Sequence, residues 1–518
     1  MAAANNDGGT TKDFALATLL TLIEDYHSFN PDTTVPTYAY PTPLEFSQQV
    51  ARGRPCVYRL DRSVLDDNND DDEREGGNDV DLQAKNGCCH GDEEIKLRQR
   101  LREEQRSILS APCFRWTKKS LCELVQGEVE VAVTPDGRAD ALYSLSTRGA
   151  GMAPKDVSGH EGDGGGESES ESESGGEVEE EEEEEQVFLQ PASIYMTLSA
   201  LIDKLCPSQT SPSPSPSPSS PLSRPISNIT TSQNTSPSIL PSRTTNEEVY
   251  YLQSQNSNLH LPPLSSLLPA LPQSGGPLPF SAPVLGAVPD AVNVWIGNSR
   301  SVTSTHRDPY ENLYLVVKGR KTFVLYSPVE EMCLHAQKVR TGRWVVNPPE
   351  DGNGGTEQGE RFGIVMDEDD ENEGGQDYDN DVDEGVSSPP PRPPTAIISE
   401  SNLGDNRIPW IPIDPLSPPT PTSTKYPCYK HARPLTVTVS EGEILYLPAG
   451  WFHHVSQECG SWQGDDGSGE KVAAPCIAVN YWYDMDYSGE KHVMREMVGR
   501  LVERTRTDDR RRSTPNGS

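Results

Sequence analysis

A chain of 518 residues has room for several domains, but its 33% hydrophobic content and net charge of −36 first suggest a partly disordered acidic protein. Three tracts account for the acidity, Asp66–Glu94 (−10), Lys155–Glu185 (−14) and Glu350–Glu384 (−14), and everything else totals about +2. No apolar run of about 18 residues exists to span a membrane, and ten cysteines without a Cys-x-x-Cys pair do not form a dense disulfide framework.

Met1 to Lys12 is polar and Gly/Thr-rich with no apolar signal region, so the expected location is a reducing compartment, cytoplasmic and/or nuclear. The sequons at Asn228 and Asn234 are then expected to be inert. Residues 12–62 hold a helix, with Leu16, Leu19, Leu20, Ile23 and Tyr26 on one face, then an extended Pro36–Pro43 connection and a strand over Pro55–Leu60. Residues 63–97 read as an acidic insert, in which Cys88-Cys89-His90 lacks zinc-finger spacing. Residues 98–147 return to order with a helix over Leu101–Leu109 and a strand over Val129–Val133 that closes on a Thr134-Pro-Asp-Gly turn.

Residues 148–186 are Gly/Ser/Glu low complexity and 207–246 are Ser/Pro/Thr-rich, compositions that cannot bury a core. The Ser-Glu steps at 168–174 are candidate phosphate acceptors by composition alone. Between these tracts, residues 187–206 read as a helix from the spacing of Ile194, Leu198, Leu201, Ile202 and Leu205. Residues 247–346 and 406–502 form two parts of one strand-rich core, separated by a third acidic insert at 347–405 and followed by a tail at 503–518. Val292–Ile296, Tyr314–Val317, Lys321–Leu325, Leu435–Val439, Ile444–Leu447 and Ile477–Trp482 are short, β-branched or alternating, and bounded by Gly and Pro. The fold class is mainly β with flanking helices (α+β), an antiparallel sandwich or barrel with most helices before it.

The chemistry concentrates in Val302-Thr-Ser-Thr-His306-Arg-Asp308-Pro-Tyr-Glu-Asn-Leu-Tyr314. Side chains two apart on a strand point the same way, so His306 and Asp308 can share one metal. With a distant His they would form the two-His-one-carboxylate face of a non-haem iron(II) site, leaving positions for a chelating co-substrate and O2. Alone, His-x-Asp is a chance-level signal whose bland reading is a surface ion pair. Fifteen residues on comes Lys321, after a Lys318-Gly-Arg turn that would fold its strand back beside the His306 strand. A lysine facing into a small barrel needs an anion, such as the distal carboxylate of 2-oxoglutarate. Downstream, Glu441 to His453-His454 carries a turn, a strand, a Pro-Ala-Gly corner and two histidines facing opposite ways, and spacing alone does not choose between them.

These blocks resemble the Jumonji-C family of 2-oxoglutarate oxygenases, and within it the lysyl (3S)-hydroxylases. The likeness runs through Pro41–Phe46, Arg54-Pro-Cys56, Val131–Asp140, Tyr251-Leu-Gln, Pro289–Trp295, Thr303–Tyr314, Trp410–Leu416, Leu445–His453 and Ala478–Met485. It implies a double-stranded β-helix (jelly-roll/cupin) core and iron ligation by His306, Asp308 and His453, with His454 as a neighbour. It further implies Lys321 on the co-substrate's far carboxylate, Thr303 and Tyr251 as hydroxyl partners, and Asn312 and Asn480 as polar positions near the metal. The implied reaction consumes O2 and 2-oxoglutarate, gives succinate and CO2, and hydroxylates a protein lysine, with a developmentally regulated GTP-binding protein as the suggested target. A homodimer is also implied, with the Leu16–Tyr26 helix as a contributor, and no direct nucleic-acid binding is expected. Two alternatives stand beside this reading. One is histone lysine demethylation, disfavoured because Jumonji-C demethylases commonly carry Glu where Asp308 stands. The other is a non-catalytic cupin-like binding protein.

Overall fold

The short apolar strands assemble into two facing sheets, in a computed structural model that describes residues 7–66, 90–146, 184–207, 248–253, 257–347, 361–367, 407–464 and 469–506. The strands that position the site are β1 (Thr37–Ala39), β2 (Cys56–Arg59), β3 (Arg138–Ala139), β4 (Ala291–Gly297), β5 (Val302–Arg307), β6 (Tyr310–Lys318), β7 (Arg320–Tyr326), β8 (Leu435–Ser440), β9 (Glu443–Leu447), β10 (Phe452–Glu458) and β11 (Cys476–Asp484). One sheet runs β1-β2-β9-β6-β11-β4, the other β8-β7-β10-β5-β3. The chain alternates between them, with β5, β7 and β10 in the second and β6, β9 and β11 in the first. That alternation is the double-stranded β-helix, and all six strands expected from the sequence lie in it.

Period two decides which side chains meet. On β6, Tyr314 and Val316 point between the sheets to meet Phe323, Leu325, Val439, Leu447 and Ala478. Leu313, Leu315 and Val317 point outward into a second core. The helices that flank the barrel include α1 (Asp7–Phe29), α2 (Pro43–Arg52), α3 (His90–Leu109), α4 (Leu198–Leu205) and α5 (Glu490–Arg506). Phe46 of α2, Ile108 of α3 and Leu201 of α4 cover the outer face of the six-stranded sheet. The stripe on α1 packs within the chain, through Leu19 and Ile23 against Val498 and Val502 of α5. No helix among the described residues is long and apolar enough to cross a membrane.

Phe46 is fully buried and meets Phe280 at 4.9 Å and Tyr446 at 5.2 Å, edge to face in both cases. Phe46→Ala should cost about 3–5 kcal/mol of stability. Denaturant unfolding checks this, and a loss below about 1 kcal/mol would show that the aromatic cluster does not hold α2 to the sheet.

Several segments differ from their sequence reading. α2 was missed, although Thr42 caps it: its Oγ1 accepts the Glu45 N–H at 3.2 Å while Glu45 Oε2 accepts the Thr42 N–H at 2.8 Å. Residues 187–206 are not one helix. A strand at Glu184–Gln190 and another at Ala192–Thr197 precede α4, and Ile194 pairs with Val131 across the second. Thr197 ends that strand by accepting the Ala200 N–H at α4. The insert boundaries also contract: α3 begins at His90, the strand at Glu184 lies inside the 148–186 tract, and Phe362–Met366 inside 347–405 pairs with Gln337–Val346. α5 was missed, and it carries the second core part to Arg506. Cys88 and Cys89, the two sequons, the Ser-Glu steps and most of the acidic and Ser/Pro-rich tracts lie outside the described residues.

The turn at Lys318-Gly319-Arg320 is a crossing between sheets, not a hairpin. Gly319 at φ +71° takes the chain from β6 in one sheet to β7 in the other. A Cβ there would stand 2.4 Å from the Glu458 carbonyl oxygen, so the close approach also requires glycine. The Lys321 strand shares a sheet with the His306 strand, but β10 lies between them.

Candidate active site

β5 and β10 pair antiparallel with His306 opposite His453, so the two imidazoles are cross-strand neighbours with ring centroids 4.3 Å apart. A register shift between Thr303 and His306 marks this stretch of β5. Asp308 follows the end of β5, and its carbonyl accepts the Gly450 N–H at 2.8 Å from the Pro-Ala-Gly corner. Its carboxylate lies 3.8 Å from His306 Nε2 and 3.6 Å from His453 Nε2. One ligand atom from each of the three residues lies within 4.8 Å of the others, an arrangement able to hold a metal ion.

The backbone fixes both tautomers. His306 Nδ1 lies 2.8 Å from the Ser304 carbonyl and His453 Nδ1 lies 3.1 Å from the Trp451 carbonyl. A carbonyl only accepts, so Nδ1–H donates in each case and the Nε2 lone pair is left for the Asp308 side. Burial pushes the His453 pKa down to about 4, helped by His306 and opposed by Asp308. It is therefore neutral at physiological pH, the form that ligates. His454 points away. Its strand partner Val324 belongs to the outer cluster with Tyr326, Ile411 and Ile413, and Asp414 is its charged neighbour.

Deeper between the sheets, Lys321 is only 1% exposed and donates to the Tyr251 hydroxyl at 3.0 Å. Burial disfavours its ammonium, but Tyr251, Tyr314 and Cys476 favour it more, and its pKa stands above the ordinary lysine value. Burial raises both tyrosines, so each is a neutral phenol, and Thr303 supports the Tyr251 hydroxyl. Among the described residues no Asp or Glu pairs with this ammonium. Gln457 stands opposite Lys321 on β10 with a buried Oε1 that has no partner. Asn480 Oδ1 accepts from Trp295 Nε1 at 2.9 Å, while its Nδ2 and the Asn312 Oδ1 are buried without partners. The buried ammonium and the unsatisfied Asn480 N–H suit an anionic guest, while the Gln457 and Asn312 carbonyl oxygens are left for a donor. The donor set of two imidazoles and a carboxylate likewise suits iron(II).

The sequence reading passed over two features beside His306. The Trp410 ring lies parallel to the His306 ring, 6.5 Å away, and is packed on Phe188 of an outer sheet. The Asp140 carboxylate is raised to about 6 by burial, with His306 and Gln253 holding it down. Both residues fall in quoted blocks, but their approach to His306 depends on long-range pairing. Gln457 had a readable signal, since it lies four residues after His453 on the same strand face.

Residues 110–489 match the Cupin-like domain family. The human protein named "Bifunctional peptidase and (3S)-lysyl hydroxylase JMJD7" is 34% identical to this chain, over 48% of the chain and 58% of the human protein. "JmjC domain-containing protein E" of Dictyostelium discoideum is 31% identical, over 47% of this chain and 55% of its own length. "Lysine-specific demethylase JMJ32" of Arabidopsis thaliana is 31% identical, over 46% and 54%. The chain thus spans little more than half the length of each of these relatives.

Proposed function

The chain belongs to the Cupin-like domain family, and on that premise we propose that it is an iron(II)- and 2-oxoglutarate-dependent hydroxylase of a lysine side chain in another protein. The observation that carries the reading is the pairing, inside one barrel, of a His-Asp-His cluster with a buried lysine that has no carboxylate partner among the described residues. His306, Asp308 and His453 would hold the metal, with Nε2 of each imidazole already aimed by its Nδ1–H bond. Lys321, with Tyr251 and Thr303, would hold the far carboxylate of 2-oxoglutarate, and Asn312 and Asn480 offer polar atoms without partners nearby. When bound, iron and the 2-oxo acid supply the oxidising chemistry, in which O2, 2-oxoglutarate and a C–H bond give succinate, CO2 and a C–OH. The chain's contribution is orientation and the exclusion of water by Trp295, Tyr314 and Trp482 in the buried wall.

The lysyl hydroxylase name of the human relative supports lysine as the target, and the Jumonji-C resemblance suggests a developmentally regulated GTP-binding protein as its carrier. The test incubates the purified chain with iron(II), 2-oxoglutarate and that GTP-binding protein. A mass gain of about 16 Da on a lysine, one oxygen atom, with stoichiometric succinate is the expected result. A loss of about 14 Da from methyl-lysine peptides, without any gain on lysine, would instead favour the demethylase named among the relatives. Succinate formation that no candidate protein stimulates would reject the protein-substrate reading.

A further inference from the structure

The chain leaves the five-stranded barrel sheet at Asp140, between β3 and the outer-sheet strand Ala141–Ser146. That corner needs a left-handed backbone, and Asp140 adopts φ +54°. The neighbouring corners at Gly137, Gly319, Gly442 and Gly450 use glycine for positive φ, whereas this one keeps a carboxylate. The corner is pinned beside the metal cluster, because the Ser304 hydroxyl donates to the Asp140 carbonyl two residues before His306. Among the described residues the carboxylate itself has one hydrogen bond, a long one of 3.4 Å from Gln253 Nε2. Among the described residues no lysine or arginine pairs with it, while Arg138 two positions earlier is engaged by Asp136. Trp410, parallel to His306 at 6.5 Å, places an aromatic ring beside the same metal cluster.

We propose that the Asp140 carboxylate is the anchor for the substrate's ammonium group, so that the site selects a cationic side chain over a neutral one of equal length. This rests on the lysyl hydroxylase reading above. A sheltered carboxylate with no cation of its own is completed by an ammonium that enters with the substrate, and the electron-rich face of Trp410 favours the same charge. Binding the ammonium at Asp140 fixes how far the side chain reaches toward the metal, and so which carbon is presented to it. Asp140 is here a specificity residue; it binds the group that does not react.

The experiment uses the iron-loaded chain, 2-oxoglutarate, and lysine peptides tiled from the candidate GTP-binding protein, each paired with a peptide carrying norleucine for lysine. Norleucine keeps the four side-chain carbons and loses the ammonium. The wild type should favour lysine about tenfold or more in kcat/KM, and Asp140→Asn should bring that ratio close to parity, mainly by raising KM for lysine peptides. Asparagine tolerates the left-handed backbone, so the variant should keep its fold, checked as N-oxalylglycine affinity of the Mn(II)-loaded protein within about twofold of wild type. A lysine preference that survives Asp140→Asn overturns the anchor and leaves the lysyl hydroxylase reading standing. A wild type that consumes 2-oxoglutarate but does not favour lysine over norleucine overturns both.

Discussion

Asp308→Asn and His306→Ala are each expected to abolish iron binding and, with it, peptide-stimulated 2-oxoglutarate turnover. Asp308 is the only carboxylate in the cluster, 3.8 Å and 3.6 Å from the two Nε2 atoms, and its negative charge is what offsets the metal's. Losing a metal that supplies several kcal/mol of stabilisation in the transition state corresponds to roughly a thousandfold or more in rate. Asparagine keeps the size of Asp308, which is only part-buried, so the fold should persist. The visible spectrum of Co(II)-loaded protein reads the metal, and succinate formation reads the turnover. The informative control is His454→Ala, one residue along β10 and facing the outer cluster. It should lose stability through the packing it leaves, yet retain the Co(II) spectrum and most of the turnover. If His454→Ala lost the metal while His453→Ala kept it, the third ligand would be misassigned.

That contrast shows where the sequence was readable. Strand period predicts that His306 and Asp308 share a side, although Asp308 lies just past the end of β5, and it sets His453 and His454 on opposite faces, because both statements concern residues one or two apart. Which of the two histidines turns inward depends on the β5–β10 register, which places His453 opposite His306 and is not written in either segment. Spacing left that choice open, and only the Jumonji-C resemblance singled out His453. The sheet strands were legible for a similar reason: six β-branched, Gly- and Pro-bounded runs each carry their own signal. Lys318-Gly-Arg was misread because three residues cannot say whether a positive-φ glycine closes a hairpin or crosses between sheets. Glu184–Gln190 was missed because its glutamates continue an acidic tract, and its strand character is set by Tyr143 and Arg340 on neighbouring strands, where Arg340 also pairs with Glu185 at 3.3 Å. Asp140 and Trp410 stand far from His306 in sequence, so their place beside it emerged only from the folded chain.

The largest effect on the co-substrate is expected at Lys321. Methionine fits the buried stem and removes the ammonium, leaving the Tyr251 hydroxyl as the neutral group nearest the vacated position. Breaking a buried ion pair from one side costs about 3–5 kcal/mol, so KM for 2-oxoglutarate should rise by about a hundredfold or more. Metal affinity should hold, since Lys321 is no member of the metal cluster. The pH dependence follows from the direction of the shift. Lys321 titrates above the ordinary lysine value, so its charge is constant through the neutral range and its contribution to 2-oxoglutarate binding should be flat with pH there. A fall in affinity as pH rises toward 9 would place the anion on a different group. The decisive comparison pairs the protein change with a ligand change: 2-oxobutyrate keeps the chelating 2-oxo acid and lacks the far carboxylate. In the wild type it should bind far more weakly than 2-oxoglutarate, and in Lys321→Met the two should bind alike. The double-mutant logic then isolates the ammonium–carboxylate term from any general damage to the barrel. If Lys321→Met weakened both acids equally and kept their ratio, the lysine would be a packing residue and the anion site would have to be sought elsewhere in the barrel.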